Sequence, residues 1–336
     1  MKTLLYLFWA AGLALLVALI AYHGVGDVAS AVAMAGWGLV AIVAYRALPM
    51  LADTLGWLVL LPHAYRRPLA QLLWMRWIGD AINLLLPVAQ VGGELVRARL
   101  LSRSGVPGPM AGASVVVDLT AAVLTQVAFA LLGAALLAER GGAGDAALGI
   151  AVGIGMFSLL LIGFYLAQRA GMFESLARNL ERLARGGDWL ALVGSAAQLD
   201  RAVTQLYRRR SAFWRASAWR FAFWLLGVGE SWLALHFLGH PAAILEALVL
   251  ESLGSAVRAA AFAIPGALGV QEGSFILLGS LLGLSPETSL AVSLIKRVRE
   301  LAVGLPALVA WQLSEGHRVL RRGAQGCGAP DQASKP

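Results

Sequence analysis

Cysteine is all but missing from this 336-residue chain. The single one, Cys327, lies in a polar tail, so no intramolecular disulfide, thiolate metal cluster or dithiol redox pair can form. Charge is scarce as well, at 14% against 59% hydrophobic residues, and the mean hydropathy is +0.73. No soluble core hides that much apolar surface, whereas a bilayer accepts it directly. The five histidines are scattered over loops and helix ends with no two at ligand spacing on one face, which leaves no metal site. A glycine-rich phosphate loop of the Walker type and a nucleophile elbow are both lacking, so ATP hydrolysis and serine esterase chemistry have no footing. No cofactor is expected.

What charge remains is basic, +8 in total. Arginine falls mainly between the apolar segments, as the positive-inside rule requires of a membrane protein, and this argues against a nucleic-acid partner. Six apolar runs have the length of a membrane span: residues 4–22, 31–51 with a continuation towards 61, 112–137, 146–167, 213–238 and 288–313. The first is longer than the apolar core of a signal peptide and no small-x-small cleavage site follows, so it reads as a retained helix.

Two further segments, 69–103 and 242–283, carry proline, glycine and carboxylates where a spanning helix would carry leucine. They follow one pattern. Pro87, Glu94 and Gly105 in the first stand 178 residues before Pro265, Glu272 and Gly283 in the second. Between 80 and 118 seven residues recur at that offset: Ala81, Pro87, Ala89, Glu94, Leu100, Gly105 and Ala113. Each segment is best read as a re-entrant hairpin whose legs meet near mid-membrane. Loop charge then fixes the topology. The connection 63–67, the return leg with Arg97, Arg99 and Arg103, the segment 168–210 and the tail with Arg318, Arg321 and Arg322 are basic and face the cytoplasm. The first hairpin therefore enters from the cytoplasmic side and the second from the opposite side, which makes the halves inverted copies about a pseudo-two-fold axis in the membrane plane.

The expected architecture is an all-α polytopic membrane protein of six transmembrane helices plus two re-entrant helical hairpins in inverted repeats. It forms one membrane domain over 1–320, with repeats of about 1–140 and 141–320 and a disordered tail over 321–336. The cytoplasmic segment 172–210 is partly amphipathic: Phe173, Leu176, Leu180 and Leu183 share a helical spacing, as do Leu199, Val203 and Leu206. It reads either as an in-plane helix pair touching anionic headgroups or as a solvated connector. Gly149, Gly153 and Gly155 would permit close helix approach, within one chain or across a homodimer.

A charge inside a membrane segment costs about 2.5–3.5 kcal/mol at the helix centre, so such residues usually face the bundle interior and mark a pathway. Asp80, Glu94 and Asp118 belong to the first half; Glu230, Glu246, Glu251, Arg258, Glu272, Lys296, Arg297, Arg299 and Glu300 belong to the second. At the 178-residue offset Asp80 falls on Arg258 and Asp118 on Lys296, so ion pairs are expected between Asp118 and Lys296 or Arg297, and between Asp80 and Arg258. The alternative for Asp80 and Arg258 is snorkelling to an interface. Glu94 and Glu272 each follow a break where a helix restarts. They read either as first-turn acids that complement the dipole or as partners in a central headgroup cradle, lined by Asn83, Gln90, Gly92, Gly93, Gly266, Gly269 and Gln271. Arg97 and Arg99 suit phosphate or topology alike. Lys296, Arg297, Arg299 and Glu300 are harder to place at an interface, since they lie roughly 12–18 Å into a helix starting near 288.

The stretches GGELVRARLLSRSGVPGPMAGASVVVDLT and AIPGALGVQEGSFILLGSLLGLSPETSLAVSLIKRVRELAVGLPALVAW resemble the flippase-like membrane domain found in lysylphosphatidylglycerol synthases. More closely, they resemble HpnL-type membrane proteins associated with bacterial hopanoid biosynthesis. The likeness covers nearly the whole chain. Phospholipid synthases of that family add a soluble aminoacyl-transferase domain after the membrane part, and here only about 23 residues follow Leu313. The resemblance therefore implies the lipid-translocating role alone: a flippase or transporter of the bacterial inner membrane, with both termini cytoplasmic, handling a hopanoid or another anionic or polar-headed lipid. It implies no enzyme activity. A membrane-embedded lipid-modifying enzyme and a non-catalytic scaffold docking lipid-biosynthesis enzymes are the alternatives.

Overall fold

Residues 36–85, 92–139, 155, 189–240, 244–261, 264 and 267–326 are described by the structure, a computed structural model. Among them every regular element is helical. The expected spans at 4–22 and 146–167 lie outside the described residues, apart from Gly155.

The first described span is α1 (Gly38–Tyr45) and α2 (Ala47–Leu60), a single apolar rod interrupted at Arg46. A 3-10 turn, His63–Tyr65, leads into α3 (Leu69–Leu85), and α4 (Gly92–Arg103) packs back against α3. Then comes α5 (Gly108–Glu139), whose 32 residues reach about 48 Å, ample for a bilayer crossing. The second half follows with α6 (Trp189–Arg208) and α7 (Arg210–Phe237), the latter standing at the 178-residue offset from α1 and α2 together, then α8 (Ile244–Ala260) packed on α9 (Val270–Leu281), then α10 (Pro286–Gly326).

The register of the repeat is written into the helix boundaries. Helices α4 and α5 start at 92 and 108, and α9 and α10 start 178 residues later, at 270 and 286. Both long hairpin legs, α3 and α8, have 17 residues; both short ones, α4 and α9, have 12. Twelve residues rise about 18 Å, too little to cross a hydrocarbon core of about 30 Å alone.

Two hydrophobic cores hold the bundle, one gathered on α2 to α6 around Trp57, Leu72, Leu101 and Leu206, the other on α5 and α7 to α10 around Phe129, Leu235, Leu250 and Ile295. The amphipathic stripe of α6 belongs to the first: Val203 and Leu206 are buried, Leu199 partly so, and α6 packs on α5. The apolar stripe of this helix therefore meets protein rather than headgroups, while Phe173, Leu176, Leu180 and Leu183 lie outside the described residues. Outward faces are apolar in the pattern lipid contact demands. Leu301, Leu305, Val309 and Leu313 recur every fourth residue along α10 and are 46–59% exposed.

One turn before Pro306, the proline inside α10, the carbonyl of Val303 accepts a hydrogen bond from the Trp77 indole of α3 at 2.9 Å. The long leg of the first hairpin is thereby tied to the last helix.

Candidate functional site

The first hairpin closes through glycine. A Cβ on Gly93 would overlap the carbonyl oxygen of Gly79 and stand 2.7 Å from Asn83 Oδ1. Only hydrogen fits there. With the legs so close, Asn83 Oδ1 accepts the Gly93 N–H at 2.7 Å and satisfies a free amide at the start of α4. Asn83 Nδ2 reaches Glu94 at 3.4 Å, and Glu94 receives Arg97 at 2.7 Å.

From Arg97 the charges run inward without a gap. Its guanidinium donates to Asp118 on α5 at 2.8 Å; Arg76 on α3 donates to the same carboxylate oxygen at 2.8 Å and pairs with Asp53 on α2 at 3.0 Å; Arg220 on α7 pairs with Asp53 from the other side. Trp57 lies beneath both guanidiniums, 4.4 Å from Arg97 and 5.6 Å from Arg76. Three acids meet three arginines. Desolvating such groups is tolerable because each charge meets an opposite one, even though the buried Nε atoms of Arg76, Arg97 and Arg220 have no hydrogen-bond partner among the described residues.

A second network occupies the other half. Glu272, fully buried at the start of α9, receives Arg297 of α10 at 3.0 Å, and Arg297 also reaches Glu300 at 3.3 Å. Arg258 on α8 pairs with Glu300 and donates to Gln271 at 2.9 Å. Glu230 on α7 receives Arg299 at 2.9 Å and Arg46, from the break between α1 and α2, at 3.2 Å. Lys296 pairs with Glu251 and donates to Ser231 at 3.2 Å.

Inside this second network a cavity of about 190 Å³ opens. Arg46, Asp80, Glu251, Arg258, Gln271, Lys296, Arg299 and Glu300 supply its polar wall; Leu84, Phe223 and Phe275 supply apolar parts. Asp80 comes from the first hairpin and Gln271 from the second, so the cavity sits between the two repeats. Lys296 and Glu300 lie ten and fourteen residues into α10, about 15–21 Å along its axis. At about 30 Å³ for each water the volume holds roughly six, room for a small polar headgroup. A smaller neighbouring cavity of about 30 Å³ shares Arg46, Asp80, Leu84, Arg299 and Glu300 with it.

Several expectations need correction. Asp118 does not pair with Lys296 or Arg297; arginines of its own half reach it first, while Lys296 and Arg297 find glutamates in theirs. Arg258 takes Glu300 rather than Asp80, which stands across the same cavity. Glu94 and Glu272 do not share one cradle: each is held by an arginine in a separate network, and neither lines the cavity. Asn83, Gly92, Gly93, Glu94, Arg97 and Asp118 build the closed first network and its hairpin. Gly269, with φ of +74°, shapes the turn before α9. Gln90 and Gly266 lie outside the described residues. Of the predicted residues the cavity gathers Arg258, Gln271, Lys296, Arg299 and Glu300, with Arg297 behind them. Arg46, Asp53, Arg76 and Arg220 were missed as site residues, although each is a charge inside an apolar or interrupted segment and met the same criterion.

The repeat offset explains one substitution of chemistry. Arg97 and Asp118 correspond to Phe275 and Lys296, and where the first half joins its short hairpin leg to the next helix by an ion pair, the second places Lys296 over the Phe275 ring at 5.6 Å. The contact persists while its charge reverses.

A family model described as the lysylphosphatidylglycerol synthase TM region matches residues 9–307. No curated protein and no solved structure matches the chain.

Proposed function

The chain belongs to the lysylphosphatidylglycerol synthase TM-region family, and from that membership and the polar cavity between its hairpins we propose that it is a lipid transporter that shelters a headgroup in mid-membrane. Membership supports a membrane protein concerned with lipids. The finer reading, a flippase of the inner membrane with cytoplasmic termini and inverted halves, acting on a hopanoid or other polar-headed lipid without changing it covalently, rests on the cavity and on loop charge.

Charge arithmetic narrows the headgroup. Arg46, Arg258, Lys296 and Arg299 line the cavity with Asp80, Glu251 and Glu300, and Glu230 stands directly behind Arg46 and Arg299. Four cations meet four carboxylates. The notion that Lys296, Arg297 and Arg299 neutralise an anionic head therefore loses support, since each already holds a glutamate; a neutral polyhydroxylated or zwitterionic head fits the balance better. Among the described residues Asp80 is the wall carboxylate that forms no ion pair, and it serves as the headgroup's hydrogen-bond acceptor.

Reconstituted protein tests this. Asp80→Asn should leave folding intact and cut the flipping rate of a zwitterionic or neutral fluorescent lipid at least tenfold in proteoliposomes. Unchanged flux, or flux confined to net-anionic lipids, would defeat the reading.

A further inference from the structure

The intramembrane arginines of both networks have carboxylates, but a group at the edge of the bundle does not. Arg66 ends the short connection from α2 to α3, Arg209 is the junction of α6 and α7, and Arg215 lies one turn into α7; no ion pair joins any of them to a carboxylate among the described residues. Their positions are fixed by the backbone around them. Arg209 donates to the carbonyl of Leu60 at 2.7 Å, and Arg67 clamps the other end of the same connection to the Ser104 carbonyl at 3.0 Å. Arg66 is half-buried between these two straps, and its Nε is enclosed without a hydrogen-bond partner. Burial, then the like charges of Arg66 and Arg215, holds the Arg209 guanidinium below its ordinary pKa. Beside Arg215 the indole of Trp214 is 63% exposed, and Trp219 further along is 41% exposed, the placement of side chains that anchor at a headgroup level.

We propose that Arg66, Arg209 and Arg215 form a binding site for the phosphate group of an anionic phospholipid in the adjoining leaflet, separate from the mid-membrane cavity. A phosphodiester supplies negative oxygens to crowded guanidiniums that no carboxylate neutralises among the described residues, and planar guanidinium suits it in two-pronged fashion. Lipid is the occupant rather than a soluble anion because exposed tryptophan adjoins the cluster and would lie beside the acyl chains. A lipid held here braces the α2–α3 connection against the α6–α7 junction.

The experiment uses the full-length protein in mixed micelles with phosphatidylglycerol, with phosphatidylcholine as the uncharged comparison and inorganic phosphate as the soluble one, and native mass spectrometry counts retained lipid. Wild type should hold phosphatidylglycerol in preference to phosphatidylcholine, and millimolar phosphate should not displace it. Arg66→Gln/Arg209→Gln/Arg215→Gln should weaken retention on the order of a hundredfold, at about fivefold for each arginine. Arg208→Gln/Arg210→Gln, which removes two neighbouring charges, should leave retention within twofold. Should the triple variant not fold, exposed Arg215→Gln alone should still show the fivefold loss. Equal retention in the triple or single variant, an equal loss in the Arg208/Arg210 control, or displacement by phosphate alone would overturn the site.

Discussion

Replacing Asp118 by asparagine strikes the most heavily shared atom in the first network. One carboxylate oxygen accepts both Arg76 and Arg97 at 2.8 Å, and both guanidiniums are 1% exposed. At that distance and an effective dielectric constant of about 20, each pair is worth about 6 kcal/mol before desolvation is charged against it. The desolvation of the arginines stays when the acid is gone. Trp57 beneath them returns only about 1–2 kcal/mol of cation–π attraction, so the net destabilisation should approach the upper part of the 3–5 kcal/mol typical of a broken buried pair. Thermal or denaturant unfolding in detergent, read by tryptophan fluorescence, measures it, and Asp118→Asn/Arg76→Met should recover at least about 1 kcal/mol because one stranded charge leaves with its partner while Arg220 still holds Asp53. A loss below about 1 kcal/mol for the single variant, or strict additivity in the double, would refute the account of a closed, dry network.

Two further perturbations probe the hairpins. Gly93→Ala forces a methyl onto the Gly79 carbonyl and should cost at least 1–3 kcal/mol, seen as a lowered unfolding temperature or loss of the protein from membranes, whereas alanine at Gly273, which has open space around it, should be tolerated. Trp77→Phe keeps the ring and removes the hydrogen bond to Val303, so it should cost about 1 kcal/mol and speed amide exchange in α10 near Pro306; an unchanged exchange pattern would show that the bond holds nothing.

How much of this was visible in the residues depends on the kind of order. The packed helix pairs α3–α4 and α8–α9 were legible because breaks in apolar runs, at Pro87 and Pro265, are local, and the 178-residue offset then reappeared at the starts of α4, α5, α9 and α10. The pairing of charges was not, because it is decided by which helix faces which. An offset relates Asp118 to Lys296 by symmetry, yet symmetry does not make neighbours of them: Arg76 and Arg97 lie on the hairpin that packs directly against α5 in the same half. Arg46 escaped notice for another reason. It interrupts a span whose flanks are apolar, and nothing local tells such a residue from one that snorkels, until Glu230 from a distant helix is seen to receive it. The cavity lay further still from the sequence, since its wall draws on five helices and the junction at Arg46.

The indole of Trp77 that grips the Val303 carbonyl makes the last helix a lever. Beyond Pro306 that rod continues for twenty residues, about 30 Å, and the gripped carbonyl lies one turn before the proline. The long leg carrying Asp80 meets the inner end of that rod both through this bond and through the close packing of Gly304 on Ala81 and Leu85, so the chamber wall and the outer arm share one joint.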